Sequence, residues 1–167
     1  RGITAARTQE LIDKIRLEVP GIHLRTTMIS GYPGETAQDH QDMLDFISRN
    51  RFERLGVFTY SHEENTAAFN LVDDVPDSLK EARQSEIMSV QEDISAEINE
   101  LKVGQSLQVL IDRKEGNYFI GRTEFDSPEV DNEVLIDASK HFVRIGDFSQ
   151  VNIDAAEAFD LYATPIS

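Results

Sequence analysis

The hydrophobic pattern of this chain changes period once, at Gly104, and no other feature limits its possible folds so strongly. Before that glycine, apolar residues recur every three or four positions in long stretches separated by short apolar runs. After it they alternate. A period near 3.6 suits helices with one buried face, and a period of two suits half-buried strands. A helix–strand region followed by an all-strand region is expected to form two domains, and 167 residues are enough for both. The expected boundaries are residues 1–101 and 102–167, giving an α/β part followed by an all-β part.

In the first part, residues 4–19 carry Leu11, Ile12, Ile15 and Val19 at helical spacing, and Pro20-Gly21 ends the helix. Residues 23–30 are β-compatible and lead to a turn at Gly31. Thr36, with Asp39 three positions on, opens a second helix that should bury Met43, Leu44 and Ile47. Residues 56–60 read as another buried strand, so a helical crossover and a parallel sheet are expected. A long helix should start at the capping box Ser78-x-x-Glu81 and reach Leu101, burying Ile87, Val90, Ile94, Ile98 and Leu101. Two strands cannot close a barrel and would leave open edges, so this part is expected to be truncated, with its missing strands upstream. The opening Arg1-Gly2-Ile3-Thr4 has no initiator Met and no apolar signal core, and it reads as the interior of a longer chain.

Beyond Gly104, residues 105–112, 117–123, 133–136, 148–153 and 159–164 read as five strands with Gly, Asp and Asn turns between them. That number of strands in so short a tail suits a small OB-like barrel. Residues 102–167 hold 6 Lys/Arg against 12 Asp/Glu, a net charge of −6 within a whole-chain charge of −15. An OB-like module that grips RNA needs a basic groove with stacking aromatics. This one has the opposite sign, which suits a basic protein partner and argues against direct nucleic-acid binding. The same charge also serves simply to keep a surface soluble. With no cysteine, disulfides, thiolate zinc sites and iron–sulfur ligation are excluded within the chain. No apolar run is long enough to span a membrane. The composition is compatible with a cytoplasmic location, which is the expectation.

Two motifs stand out. Residues 27–36 run from a strand into the glycine-rich turn Gly31-Tyr32-Pro33-Gly34 and then a helix N-terminus. Such a turn lets backbone approach a ligand closely, or is turn chemistry alone, and Glu35 is able either to meet a ligand or to brace the turn. The second motif, Phe58-Thr59-Tyr60-Ser61-His62-Glu63-Glu64, follows a strand at the end where parallel barrels carry functional residues. His62 and its two acidic neighbours lack metal-ligand spacing, so a solvated loop is expected.

These two motifs, with Ser78-Leu79-Lys80-Glu81-Ala82-Arg83, Gly121-Arg122 and Asp126-Ser127-Pro128-Glu129-Val130-Asp131, resemble the radical-SAM methylthiotransferases over nearly the whole chain. The resemblance implies the C-terminal part of a radical-SAM, TIM-like barrel with its closing helix, followed by a five-stranded OB-like TRAM domain. It also implies an activity for the whole protein: methylthio transfer to an unactivated carbon, using S-adenosyl-L-methionine and two 4Fe–4S clusters. The cluster-binding cysteines of the family are absent here, so the chain alone is expected to be inactive and to bind neither cofactor, with no catalytic residue of its own. Thr27, Ile29, Gly31 and Tyr60 are carried over as S-adenosyl-L-methionine wall residues. The motif wording is closer to the branch that modifies an aspartate of the basic ribosomal protein uS12 than to the branch that modifies adenosine in transfer RNA. Asp126, Glu129 and Asp131 are the candidates for meeting that protein. A third reading, a catalytically silent protein-binding module, stays open.

Overall fold

A computed structural model describes residues 4–128 and 130–166. The chain divides into two compact units between Met88 and Ser89, inside its longest helix. The first unit runs α1 (Ala5–Glu18), β1 (Arg25–Ser30), α2 (Ala37–Asn50), β2 (Arg54–Thr59), a one-turn 3-10 helix (Ala67–Asn70) and the start of α3 (Asp77–Glu100). The Thr4 hydroxyl caps α1 by accepting from the Arg7 amide. The expected capping box opens α2: the Thr36 hydroxyl accepts from the Asp39 amide, and the Asp39 carboxylate accepts from the Thr36 amide. β1 and β2 pair in parallel, from Arg25 opposite Arg54 to Ser30 opposite Thr59.

One face of this two-stranded sheet is covered and the other is open. Ser30, Leu55 and Val57 are buried, whereas Thr27, Ile29 and Phe58 are exposed. In α1 only Ile12 is buried, while Leu11 and Val19, which share its apolar spacing, are about half exposed at 50% and 49%. The physical reason is width. Neighbouring strands lie about 5 Å apart and a helix is about 10 Å across, so two strands cannot cover every apolar side chain of the helices that flank them.

Helix α3 also departs from expectation. It begins at Asp77, so Ser78 lies in its first turn, and the Pro76 carbonyl accepts from the Leu79 and Lys80 amides instead. Its buried positions include Lys80, Arg83 and Ile87 in the first unit and Gln91, Ile94, Ser95 and Asn99 in the second. Val90 and Ile98 are only half-buried, and Leu101 is exposed. Polar residues take the inner stripe because they find partners there. The Asn99 amide, for example, donates to the Glu157 and Ala158 carbonyls at 2.9 and 3.0 Å. A satisfied buried polar group carries little penalty, so hydropathy alone misses it.

The second unit contains the closed barrel expected from the alternating tail. Its strands are β3 (Ser106–Glu115), β4 (Tyr118–Arg122), β5 (Glu133–Asp137), β6 (Phe148–Ala156) and β7 (Asp160–Pro165), in the order β3-β4-β5-β7-β6. All pairings are antiparallel except β5 with β7. Val109, Ile111, Phe119, Val134, Ile136, Val151, Ile153 and Leu161 form the core. At Gly121 the two strands of the first hairpin come so close that a Cβ would stand 2.5 Å from both the Leu110 carbonyl oxygen and the Val109 side chain.

Two outcomes follow from this architecture. Gly121→Ala should lower the stability of the second unit by about 1–3 kcal/mol, read from chemical denaturation, because backbone must move to admit the methyl group. In native-state hydrogen exchange, β3 amides should outlast those of β2, since the barrel leaves no open edge and β1–β2 leaves two. Faster exchange in β3 would overturn that ranking.

Candidate functional site

The C-terminal ends of β1 and β2 meet the first two turns of α3, and a buried polar cluster forms there. Glu35 is its centre. One carboxylate oxygen accepts from the Gly31 amide at 2.9 Å, and the other accepts from the Arg83 guanidinium at 2.7 Å. Arg83 also donates to the Glu35 carbonyl, and both side chains are more than nine-tenths buried. The Ser30 hydroxyl donates to the Lys80 carbonyl at 3.0 Å, and the Gly34 amide donates to Asp74 at 2.7 Å. The glycine-rich turn is therefore held on both sides by the chain that follows β2.

Gly31 has a positive φ of 76°, and a Cβ there would lie 2.2 Å from the Lys80 side chain. Its lack of a side chain makes room for Lys80. The Lys80 ammonium is buried and donates to Asp73 at 2.7 Å and Asp77 at 3.1 Å. The hydrogen bond to Asp73 raises its pKa above the usual lysine value, against the opposing effect of burial. Tyr60 lies beside it: the Tyr60 amide donates to the Ser30 carbonyl, its ring is 5.5 Å from the Lys80 ammonium, and it meets the Tyr32 ring edge-on at 5.5 Å. Burial, then the charge of Asp73, pushes the Tyr60 phenol above its ordinary value.

Of the sequence-derived candidates, Thr27 and Ile29 share the open face of the sheet, in register with Gly56 and Phe58. Gly31 and Tyr60 lie past the strand ends, beside Lys80. Glu35 braces the turn. His62 stacks 4.7 Å from Phe69, and Glu63 and Glu64 are exposed. Among the described residues no group of His, Asp or Glu is placed to hold a metal ion. In the second unit Asp126 is buried at 7% exposure, and its carboxylate accepts from the Thr123 hydroxyl at 2.6 Å. The Asp131 carboxylate accepts from the Ser127 amide, which closes the same loop. Glu129 lies outside the described residues.

Sequence reading missed Lys80, Arg83 and Asp73. One signal was available: positions 80, 83 and 87 fall three and four apart, so both basic residues lie on the stripe that buries Ile87.

Removing Arg83 should be costly because it strands a buried carboxylate. Arg83→Met is expected to lower stability by about 3–5 kcal/mol, and adding Glu35→Gln should recover part of that loss in chemical denaturation. The Lys80 contribution has a defined pH sense. Its folded pKa is raised, so its stabilisation is complete below the unfolded value of about 10.4 and is lost as pH rises through the higher folded value. Denaturation between pH 9 and 12 should show this loss in the native chain, and Lys80→Met should remove it.

Comparison with known proteins identifies the second part and finds relatives of the whole chain. Residues 103–166, which contain all five barrel strands, match the TRAM domain family. Over 165 residues the chain is 54% identical to "Ribosomal protein uS12 methylthiotransferase RimO" of Flavobacterium psychrophilum, covering 99% of this chain and 38% of the relative. The protein of the same name from Cytophaga hutchinsonii is 57% identical over 97% of this chain and 37% of its own length. That from Bacteroides thetaiotaomicron is 51% identical over 98% and 38%. The chain thus spans well under half the length of these curated relatives. Given such identity along almost its whole length, with a TRAM domain where the barrel stands, the chain belongs to the uS12 methylthiotransferase family.

Proposed function

We propose that the chain is the C-terminal part, barrel strands plus TRAM domain, of an enzyme that adds a methylthio group to the β-carbon of an aspartate in ribosomal protein uS12, with the domain boundary between residues 101 and 102. The observation that carries this reading is identity of 51–57% to three proteins bearing that name, across at least 97% of the chain. The acidic tail supports the protein-modifying branch over the one acting on transfer-RNA adenosine, because phosphate backbones are bound mainly by cations.

The residues present do not fit iron–sulfur clusters. The chain has no cysteine, and its described carboxylates and histidines form no cation site, so no bond-breaking step is assigned to these residues. They fit S-adenosyl-L-methionine better. The open face of β1–β2 exposes Ile29 and Phe58 side by side with Thr27 next to them, a surface of the kind an adenine ring covers. When bound, that cofactor supplies the methyl group and the precursor of the radical. The residues of this chain orient it and exclude water. Gly31 and Tyr60 shape the strand ends, and the Glu35–Arg83 pair keeps the turn from shifting across the wall. Uncovered, such a wall is not a site, so the chain by itself binds neither cofactor and is inactive.

In the second unit, exposed acids of the barrel draw in the basic ribosomal protein without contacting nucleic acid or membrane; no described helix is long and apolar enough to cross a bilayer. Asp131, half-buried in the same loop, and Glu129 are the loop acids proposed for that role. Asp126 holds its loop from inside, so Asp126→Lys is expected to disturb folding, while Glu129→Lys should slow association with uS12. A cytoplasmic location follows from a ribosomal-protein substrate.

The deciding experiment incubates the whole reconstituted protein separately with uS12 and with transfer RNA and reads each by mass spectrometry. A methylthio mass increase on an aspartate peptide of uS12 is expected. An increase on transfer-RNA adenosine, with none on uS12, would overturn the proposal. The 167-residue chain, treated identically, should retain no cluster absorbance after desalting.

A further inference from the structure

The outer surface of the barrel carries a groove that the family assignment does not explain. It encloses about 220 Å³ and is lined by Tyr118 from β4, Leu135 from β5, Asp154 from β6 and Tyr162 from β7. The pairing register brings them together, since Leu135 lies opposite Tyr162. The Tyr118 and Tyr162 rings meet edge-on, with centroids 6.3 Å apart and planes at 68°. One Asp154 oxygen accepts from the Thr164 hydroxyl at 2.7 Å, and the residue is exposed at the rim.

The groove is largely polar, with Leu135 and Ala163 as its aliphatic residues, two tyrosines on one side and Asp154 at its rim. Glu157 hydrogen-bonds the Tyr162 phenol, and Asp160 neighbours Tyr162 on β7. Burial and then these two carboxylates raise the phenol above its ordinary pKa, a sign of the negative potential at this spot. Three other titratable groups line the groove. His141 lines it, and Lys140 is paired with Asp137 at 3.0 Å, so those two charges offset each other. Asp137 is held down to about 2, first by the Ser139 hydroxyl and then by the Ser139 amide and Lys140, so it stays ionised to complete that pair.

We propose that this groove binds an arginine side chain of a basic protein partner, with the guanidinium against the tyrosine rings and towards Asp154, and the alkyl stem on Leu135. Arginine suits it better than lysine because its planar, weakly hydrated head group stacks on aromatic faces, whereas an ammonium acts as a point charge. A nucleobase would also stack on tyrosine, but the phosphates on either side of it would face Asp154, Glu157 and Asp160. The proposal rests on the reading of the barrel as a protein-binding module, and it names the chemistry that module selects.

The test titrates the 167-residue chain with tri-arginine, tri-lysine and transfer RNA, and follows backbone amide shifts by NMR. Tri-arginine should bind several-fold more tightly than tri-lysine and shift the amides of Tyr118, Asp154 and Tyr162. Tyr118→Ala should weaken it about fivefold, Tyr118→Phe should restore it, and Asp154→Asn should narrow the preference for arginine. Equal binding of both peptides, with shifts elsewhere and no response to Tyr118→Ala, would remove the groove but leave the acidic barrel as a partner surface. Binding of transfer RNA with no binding of either peptide would overturn both readings.

Discussion

Where β1 ends is decided by the buried pair between Glu35 and Arg83. The carboxylate uses one oxygen for the Gly31 amide and the other for the guanidinium, so the strand end, the glycine-rich turn and the start of α3 must all be in place for either charge to be matched. A buried pair of this kind adds little net stability, because desolvation offsets most of the attraction. It does discriminate against alternatives: a turn shifted by one residue would leave two buried ions without partners. The positive φ at Gly31 and the Lys80 stem filling the space of its missing side chain impose the same register sterically. The open face carrying Thr27 and Ile29 takes its position from this junction.

The second unit is specified differently. No buried ion pair is needed where alternating apolar residues from five strands close on one another and leave no edge. The tight points are steric: Gly121, where two strands approach closely, and the parallel pairing of β5 with β7 that completes the ring. With folding settled by inward residues, the outward ones are free to carry recognition. That division explains how one barrel can present a tyrosine-lined groove while keeping a net negative surface.

The parts of this fold that follow period and punctuation were legible in the sequence. The Thr36–Asp39 box, the two parallel strands and the five-stranded tail each leave a local mark. What stayed hidden depends on partners far away along the chain. Lys80, Arg83, Gln91 and Asn99 look like surface residues of α3 until their acceptors are known, and Leu101 looks like core until its stripe is seen to be taken. The exposure of Leu11 and Val19 reflects the width of a sheet, which no local pattern encodes. At the candidate site the chemistry of Glu35 was half readable: its place after the glycines suggested bracing or binding, and only Arg83, 48 positions away, decides for bracing.

The tyrosines carry an optical consequence. The chain has four of them and no tryptophan, and they fall into two edge-on pairs, Tyr32 with Tyr60 in the first unit and Tyr118 with Tyr162 in the second. Tyrosine signals from this protein are therefore a sum of two local reporters, one beside the glycine-rich turn and one in the barrel groove. Replacing either pair with phenylalanine leaves the remaining emission to report on a single unit, so the two halves can be watched separately without an added dye.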